Sequence, residues 1–265
     1  MSTVKDFYNA INEFAPFSTA MSWDNSGIIV GDPDEEVSSV ITALDITTET
    51  VREAHEKGVQ LIISHHPVIF HPLKSLSPDS VPAMLIRYGI AAICVHTPFD
   101  MAPCGMNKGL RDILWDKLGF CDAEPLEVTG DGLSIGMIYT LASPIEPEMA
   151  AEIIGNALGC TVVRFNRGGR VIRRLAVSSG AGGSLCALAA QKGADALAAG
   201  DFKHSDFVDS LNSGFTVIDC GHYHTERIFS GMMKELLSPL FPDVNITETS
   251  KGDDPVSYYP VGSED

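Results

Sequence analysis

Short aliphatic runs recur along the chain, separated by stretches with helical spacing. Val40–Leu44, Leu61–Ile63, Ile90–Val95, Ile135–Leu141, Leu175–Val177, Ala196–Ala199 and Phe215–Ile218 have the compact apolar pattern of buried strands. Between them lie the amphipathic segments "TTETVREAHEKG", "PEMAAEIIGNALG" and "SLCALAAQKG". All three end on glycine, a common helix stop, and the first opens on threonines suited to a cap. The alternation predicts an α/β fold with largely parallel sheets. The polar, turn-rich stretch "CDAEPLEVTGDG" is expected to divide the chain near residue 125. That gives a first lobe over 1–124 and a second lobe, with a C-terminal segment, over 125–265.

The two halves echo each other. Slid by 135 positions, "EKGVQLIIS" falls on "QKGADALAA", His65-His66 falls on Gly200-Asp201, and Asp45 falls on Gly180. Slid by 126, His96-x-x-x-Asp100 falls on His222-x-x-x-Glu226. The differing shifts imply a shorter connection in the second half. Two similar, interlinked α/β lobes are expected, with a site between them at the carboxyl ends of the strands.

Composition narrows the function. The net charge is −17 and no basic cluster interrupts it, so a nucleic-acid partner is not expected. The six cysteines include no Cys-x-x-Cys and no zinc-finger spacing, and most lie in apolar runs, which favours a reducing compartment. The opening "MSTVKDFYNAINEF" has neither a basic start nor an apolar signal core. No apolar run approaches the roughly 20 residues that span a bilayer. A cytoplasmic protein with no membrane partner is the expectation.

Chemically capable groups collect where strands run out: "LDIT", "SHHP", "HTPFD", "SSGAGG", "GDFKH" and "DCGHYHTE". The stretch "LIISHHPVIF" ends an aliphatic run with two histidines and a proline. On a strand, neighbours face opposite ways, so the pair belongs where the strand gives way to a loop and the imidazoles can reach two neighbouring targets. Imidazole with carboxylate suits first-row divalent ions. His222 and Glu226, four apart, share one face of a helix start. His55, within an amphipathic helix, reads as a solvated surface residue. "SSGAGGSLCALAA" is either a tight turn with close helix packing or an anion cradle. Trp23-Asp24-Asn25 is either packing at a domain edge or the wall of a cleft.

Taken in order, "SWDNSGIIVGDP", "ALDIT", "IISHHPVIFHPLKSL", "HTPFDMAPCGMN", "SSGAGG", "GADALAAGDFKH" and "DCGHYHTE" resemble the Nif-three-like, YbgI-like dinuclear metal family. Its members are often labelled GTP cyclohydrolase I type 2 homologues. The resemblance runs from about residue 5 to residue 230 and matches the short form, without a long central insertion. It implies two divalent ions per chain (Zn, Mn, Fe or Co). His66 and Asp100 would hold one, His65 and His222 the other, and Glu226 would bridge them. It also implies a ring-shaped homohexamer and a hydrolytic activity such as opening of GTP.

Departures bear on substrate preference. "HTPFD" stands where the family commonly reads His-Thr-Asn-Leu-Asp, which makes Phe99 a candidate aromatic wall for substrate. "GDFKHSD" has one histidine where a pair is frequent. His96 and His204 are candidates for proton transfer or substrate orientation. Lys203 is a candidate phosphate contact or a solvated cation. A cationic dinuclear core would attract an anionic small molecule. The alternative function is a non-enzymatic metal-binding, trafficking or regulatory scaffold.

Overall fold

The computed structural model describes residues 1–168 and 170–259; residues 260–265 of the expected second lobe lie outside these. In chain order the first elements are β1 (Ser2–Thr3), α1 (Val4–Phe14), β2 (Gly27–Val30), β3 (Glu36–Val37), β4 (Ser39–Ala43), α2 (Thr48–Glu56), β5 (Leu61–Ser64), α3 (Val81–Tyr88), β6 (Ala91–Cys94) and α4 (Thr97–Met101). There follow α5 (Met106–Leu118), β7 (Phe120–Val128), β8 (Ser134–Ile145), α6 (Pro147–Leu158), β9 (Arg164–Phe165), β10 (Ile172–Ala181), α7 (Cys186–Gln191), β11 (Ala196–Gly200), α8 (His204–Ser213), β12 (Thr216–Asp219) and α9 (His222–Glu226). The chain closes with α10 (Phe229–Leu237) and β13 (Asn245–Glu248). Every expected strand is present.

Two compact units result. The first comprises Met1–Met106 with Arg227–Gly252, the second Asn107–Glu226 with Asp253–Asp265. This differs from a split at 124/125 for two reasons. "CDAEPLEV" is not a linker but part of β7, an edge strand paired antiparallel with β8. Its exposed face explains its polarity, and Pro125 is tolerated because edge strands can spare a donor. The chain also returns after Glu226 to supply α10 and β13 to the first unit.

The first unit is built on a five-stranded sheet in the order β13-β4-β5-β6-β2. All its pairings are parallel except that of β2. Side chains alternate between the faces, as the period of two requires. Val40, Leu61, Ile63, Ala91 and Ile93 pack with Phe7 and Ile11 of α1 and with Phe229 and Met233 of α10. Ile41, Ala43, Ile62 and Ala92 pack with Val51 and Ala54 of α2 and with Met84 and Leu85 of α3. A sheet buried on both faces explains strands that read as continuous apolar runs.

The second unit has a six-stranded sheet in the order β7-β8-β10-β11-β12-β9. Here β10, β11 and β12 are parallel, while β7, β8 and β9 pair antiparallel. The sheet is thus more mixed than the alternation predicts. Leu126, Ile138, Ala176, Leu197 and Val217 face Leu185 and Ala189 on one side. Among the described residues no helix is long and apolar enough to cross a membrane.

Candidate metal centre

In the first unit, the parallel strands β4, β5 and β6 end side by side and deliver Asp45, His65-His66 and His96. Backbone pairing continues past β5: the His65 N–H donates to Ala43 O (3.2 Å) and the His66 N–H to Leu44 O (3.0 Å). His65 is wholly buried. Its Nδ1 lies 3.1 Å from the Val95 carbonyl, which can only accept, so Nδ1 carries the proton and Nε2 keeps its lone pair. His66 Nδ1 lies 2.8 Å from Asp45 Oδ1, and His96 Nδ1 lies 2.8 Å from Asp24 Oδ1. Carboxylates placed there fix the same tautomer and ring orientation, and raise the basicity of the opposite nitrogen.

One ligand nitrogen from each of His65, His66 and His96 lies within 4.8 Å of the others. Asp100, on α4, brings Oδ1 to 3.5 Å from His65 Nε2. His65, His66, His96 and Asp100 are therefore brought together as electron-pair donors. His96 differs from the simple proton-transfer candidate of the sequence only in being so firmly held. The Asp24 side chain behind it is wholly buried. Burial pushes that carboxyl up, but hydrogen bonds from His96, Thr97 and Ser26 outweigh burial and hold it below the usual carboxylate range.

Phe99 is not a substrate wall. It is wholly buried, at a ring-centroid distance of 5.2 Å from Phe229 and 6.5 Å from Phe14, edge to face with both. On the short helix α4, Asp100 faces the histidines and Phe99 turns into the core. The exposed aromatics near His96 are Trp23 and Phe70, with centroids 5.8 and 6.3 Å from it.

In the second unit, Asp201 follows directly on β11, and His222 opens α9 just beyond β12. His222 Nδ1 lies 2.8 Å from Asp201 Oδ2, and Nε2 lies 2.9 Å from Glu226 Oε2, one helical turn on. With Nδ1 donating to Asp201, a neutral His222 points an electron pair at a carboxylate. A cation relieves that repulsion, either a proton on the ring or a metal ion. Asp201 adopts a left-handed conformation (φ 57°), uncommon outside glycine and tolerated by Asp better than by most residues.

The glycine-rich stretch has a use that neither sequence reading named. Gly180 (φ +62°) lets Glu226 in: a Cβ there would lie 2.4 Å from Glu226 Oε1. Its N–H donates to Thr225 Oγ1 at 3.0 Å, which steadies α9. A Cβ on Gly183 would meet Asp206 Oδ2 at 2.7 Å, and a carboxylate over that turn disfavours an anion cradle.

Lys203 and His204 open α8 and are both exposed, with Asp206 accepting the Lys203 N–H at 2.8 Å. His55 is exposed, as expected, and stacks on Tyr88 at 4.0 Å. A cavity of about 430 Å³ opens beside His222, its lining including Arg164, Asp201, Asp219, Asp254 and Tyr258. Asp219 engages Arg164 directly.

The sequence reading assigned no role to Asp45 or Asp201, and took Asp24 only as part of a packed domain edge or cleft wall. The available signal was position, since Asp45 and Asp201 each follow a strand within a motif already picked out for its polar end.

The donor chemistry suits a divalent metal ion: imidazoles with a fixed tautomer and carboxylates beside them. The chain is 32% identical to a GTP cyclohydrolase 1 type 2 homolog of Campylobacter jejuni, over 92% of this chain and 95% of that one. It is 32% identical to a Helicobacter pylori protein named GTP cyclohydrolase 1 type 2, over 89% and 92%. Among solved structures it resembles Staphylococcus aureus protein SA1388, with a TM-score of 0.86 and 28% identity, covering 97% of this chain and 99% of that one. It also resembles reduced HcgD of Methanocaldococcus jannaschii, with a TM-score of 0.80 and 26% identity over 94% and 98%. Residues 2–255 match the family described as Duf34/NIF3 (NGG1p interacting factor 3), and the chain belongs to that family.

Proposed function

We propose that the protein is a metal-dependent hydrolase that works with two divalent ions per chain. His65, His66, Asp100, His222 and Glu226 would hold them, Glu226 serving both. One observation carries the reading: His65, His66 and His222 each have Nδ1 tied to an acceptor, which presents Nε2 as a donor. Divalent ions, when bound, supply Lewis acidity and lower the pKa of water towards about 7. The protein's own share is orientation and proton handling. Asp45, Asp201 and the Val95 carbonyl set the imidazole planes. His96, braced by Asp24, offers Nε2 to take up a proton from the reacting water. The mixed N/O set without thiolate accommodates Zn, Mn, Fe or Co. An anionic substrate fits a centre in which two carboxylates only partly offset two dications. The names of the Campylobacter and Helicobacter relatives support GTP as the first substrate to try. A homohexamer located in the cytoplasm completes the proposal.

Metal analysis of chelator-free protein is expected to give close to two ions per chain, and light scattering six chains. GTP and a panel of other phosphate esters and nucleotides should then be offered to Zn-, Mn-, Fe- and Co-loaded protein. No turnover with any metal, together with metal transfer to an acceptor protein, would overturn the hydrolase reading in favour of trafficking.

A further inference from the structure

The metal reading leaves Trp23 and Phe70 unused, although the fold holds both in place. Trp23 is 52% exposed and Phe70 40% exposed, their centroids 6.1 Å apart and their planes inclined at 32°. Exposed large aromatics set together are uncommon without a partner. Mobility does not explain these two. The residue after Trp23 is Asp24, whose wholly buried carboxylate accepts from Thr97 Oγ1 (2.6 Å), Ser26 Oγ (2.8 Å) and the Thr97 N–H (3.2 Å). Asn25 Nδ2 donates to Ile69 O at 2.6 Å, which ties the Trp23 turn to the segment that carries Phe70. Both rings are thereby placed within 6.3 Å of the His96 ring, each steeply inclined to it.

We infer that Trp23 and Phe70 form a stacking wall for a planar heteroaromatic ring of the nucleobase type, held beside the histidine cluster. An aliphatic lipid or peptide side chain laid on these rings would cover His96 with apolar atoms and leave it poorly solvated. A flat heterocycle offers a face to the aromatics and polar edges to the imidazole. Base–aromatic stacking tolerates many rings, so the wall selects planarity and leaves discrimination among bases to other groups. The inference rests on the metal reading only in making this ring part of the substrate.

The test uses guanosine as probe, with ribose 5-phosphate and inorganic phosphate as controls, on the 265-residue chain both chelator-treated and Mn-loaded. The chain has two tryptophans, so Trp23 fluorescence is separated from that of Trp115 by the Trp23→Phe variant. Guanosine is expected to quench the wild type saturably, the controls to leave it unchanged, and Trp23→Phe to bind without the quench. By calorimetry, Trp23→Ala and Phe70→Ala should each bind guanosine about tenfold or more weakly, and Trp23→Phe should restore most of the affinity. Near-UV circular dichroism of Trp115 reports the fold of the second unit in each variant, and hydrogen exchange of β4, β5 and β6 that of the first. Absence of saturable quenching in both metal states, or unchanged affinity in folded Phe70→Ala, would overturn the stacking wall whatever the metal content. Ring binding that persists in protein unable to hold two ions would support it while removing the metal reading.

Discussion

The two units run the same strand frame to different chemical ends. In the first, Val40 pairs with Leu61; in the second, Leu175 pairs with Ala196. Both residues of the second pair lie 135 positions after their counterparts, so the ladders agree with the sequence echo residue by residue. Leu61 pairs with Ala91 but Ala196 with Thr216, so the β11–β12 connection is the shorter. What differs is who stands at each end. The first unit puts a carboxylate after β4 (Asp45) and histidines after β5. The second has glycine near the end of β10 (Gly180) and puts the carboxylate after β11 (Asp201). Each unit thus makes a carboxylate–imidazole pair at 2.8 Å, but with different strands supplying the partners. The frame fixes a set of positions, and which residue type fills each is interchangeable as long as every imidazole keeps an acceptor at its back.

Four experiments break or sharpen this comparison. Glu226→Gln has the largest expected effect. It removes the charge that the proposal shares between ions, so both should be depleted and turnover lost. Asp100→Ala should deplete mainly one. Calorimetric metal titration decides, and near-native binding of two ions by Glu226→Gln would refute the bridge. Next is Gly180→Asp, which gives the second unit the residue of the first. The new Cβ would start 2.4 Å from Glu226 Oε1 at a φ that suits glycine. Loss of metal should approach that of Glu226→Gln, and elemental analysis would show it. Third, Asp45→Ala and Asp201→Ala should each weaken metal binding about 10–100-fold, with similar losses if the two pairs are equivalent.

The smallest effect concerns stability in acid. Glu53 lies buried in the first unit, where the 135-residue shift puts Leu188 in the second. Burial pushes the Glu53 carboxyl up, but hydrogen bonds from Lys57, Thr249 and Ser250 prevail and lower it to about 2. A depressed carboxylate stabilises fully above its unfolded value near 4.5 and loses that contribution as pH falls through about 2. Hydrogen exchange between about pH 5 and about pH 2.5 should show α2 and the 249–250 segment losing protection with falling pH. Glu53→Gln should flatten that dependence.

Much of this was legible from the chain. Fully buried parallel strands advertise themselves as apolar runs, so the ladder was readable from Val40 onward. Adjacent histidines ending such a run mark a site because packing has no use for them there. Edge positions were harder: β7 read as a boundary because one face meets water, and a polar strand looks like a turn-rich linker. Phe99 was misread for a related reason. It adjoins Asp100 in sequence, but helical neighbours point about 100° apart, so one reaches the histidines and the other the core. The supporting aspartates stayed hidden because their role depends on which strand ends lie side by side, and that is a property of the ladder.

The return of the chain after Glu226 sets a timetable for synthesis. The first unit cannot close its sheet until β13 exists, and its core lacks Phe229, Met233, Leu237 and Ile246 until then. Strands β4, β5 and β6, which lead into His65-His66 and into the α4 helix that carries Asp100, are made early yet must wait, one edge of β4 unpaired, while nearly all of the second unit is translated. An edge held open that long is open to wrong pairings. The nascent chain is therefore most vulnerable over the interval between the first ligand and the last, and release of residues 227–252 from the ribosome ends it.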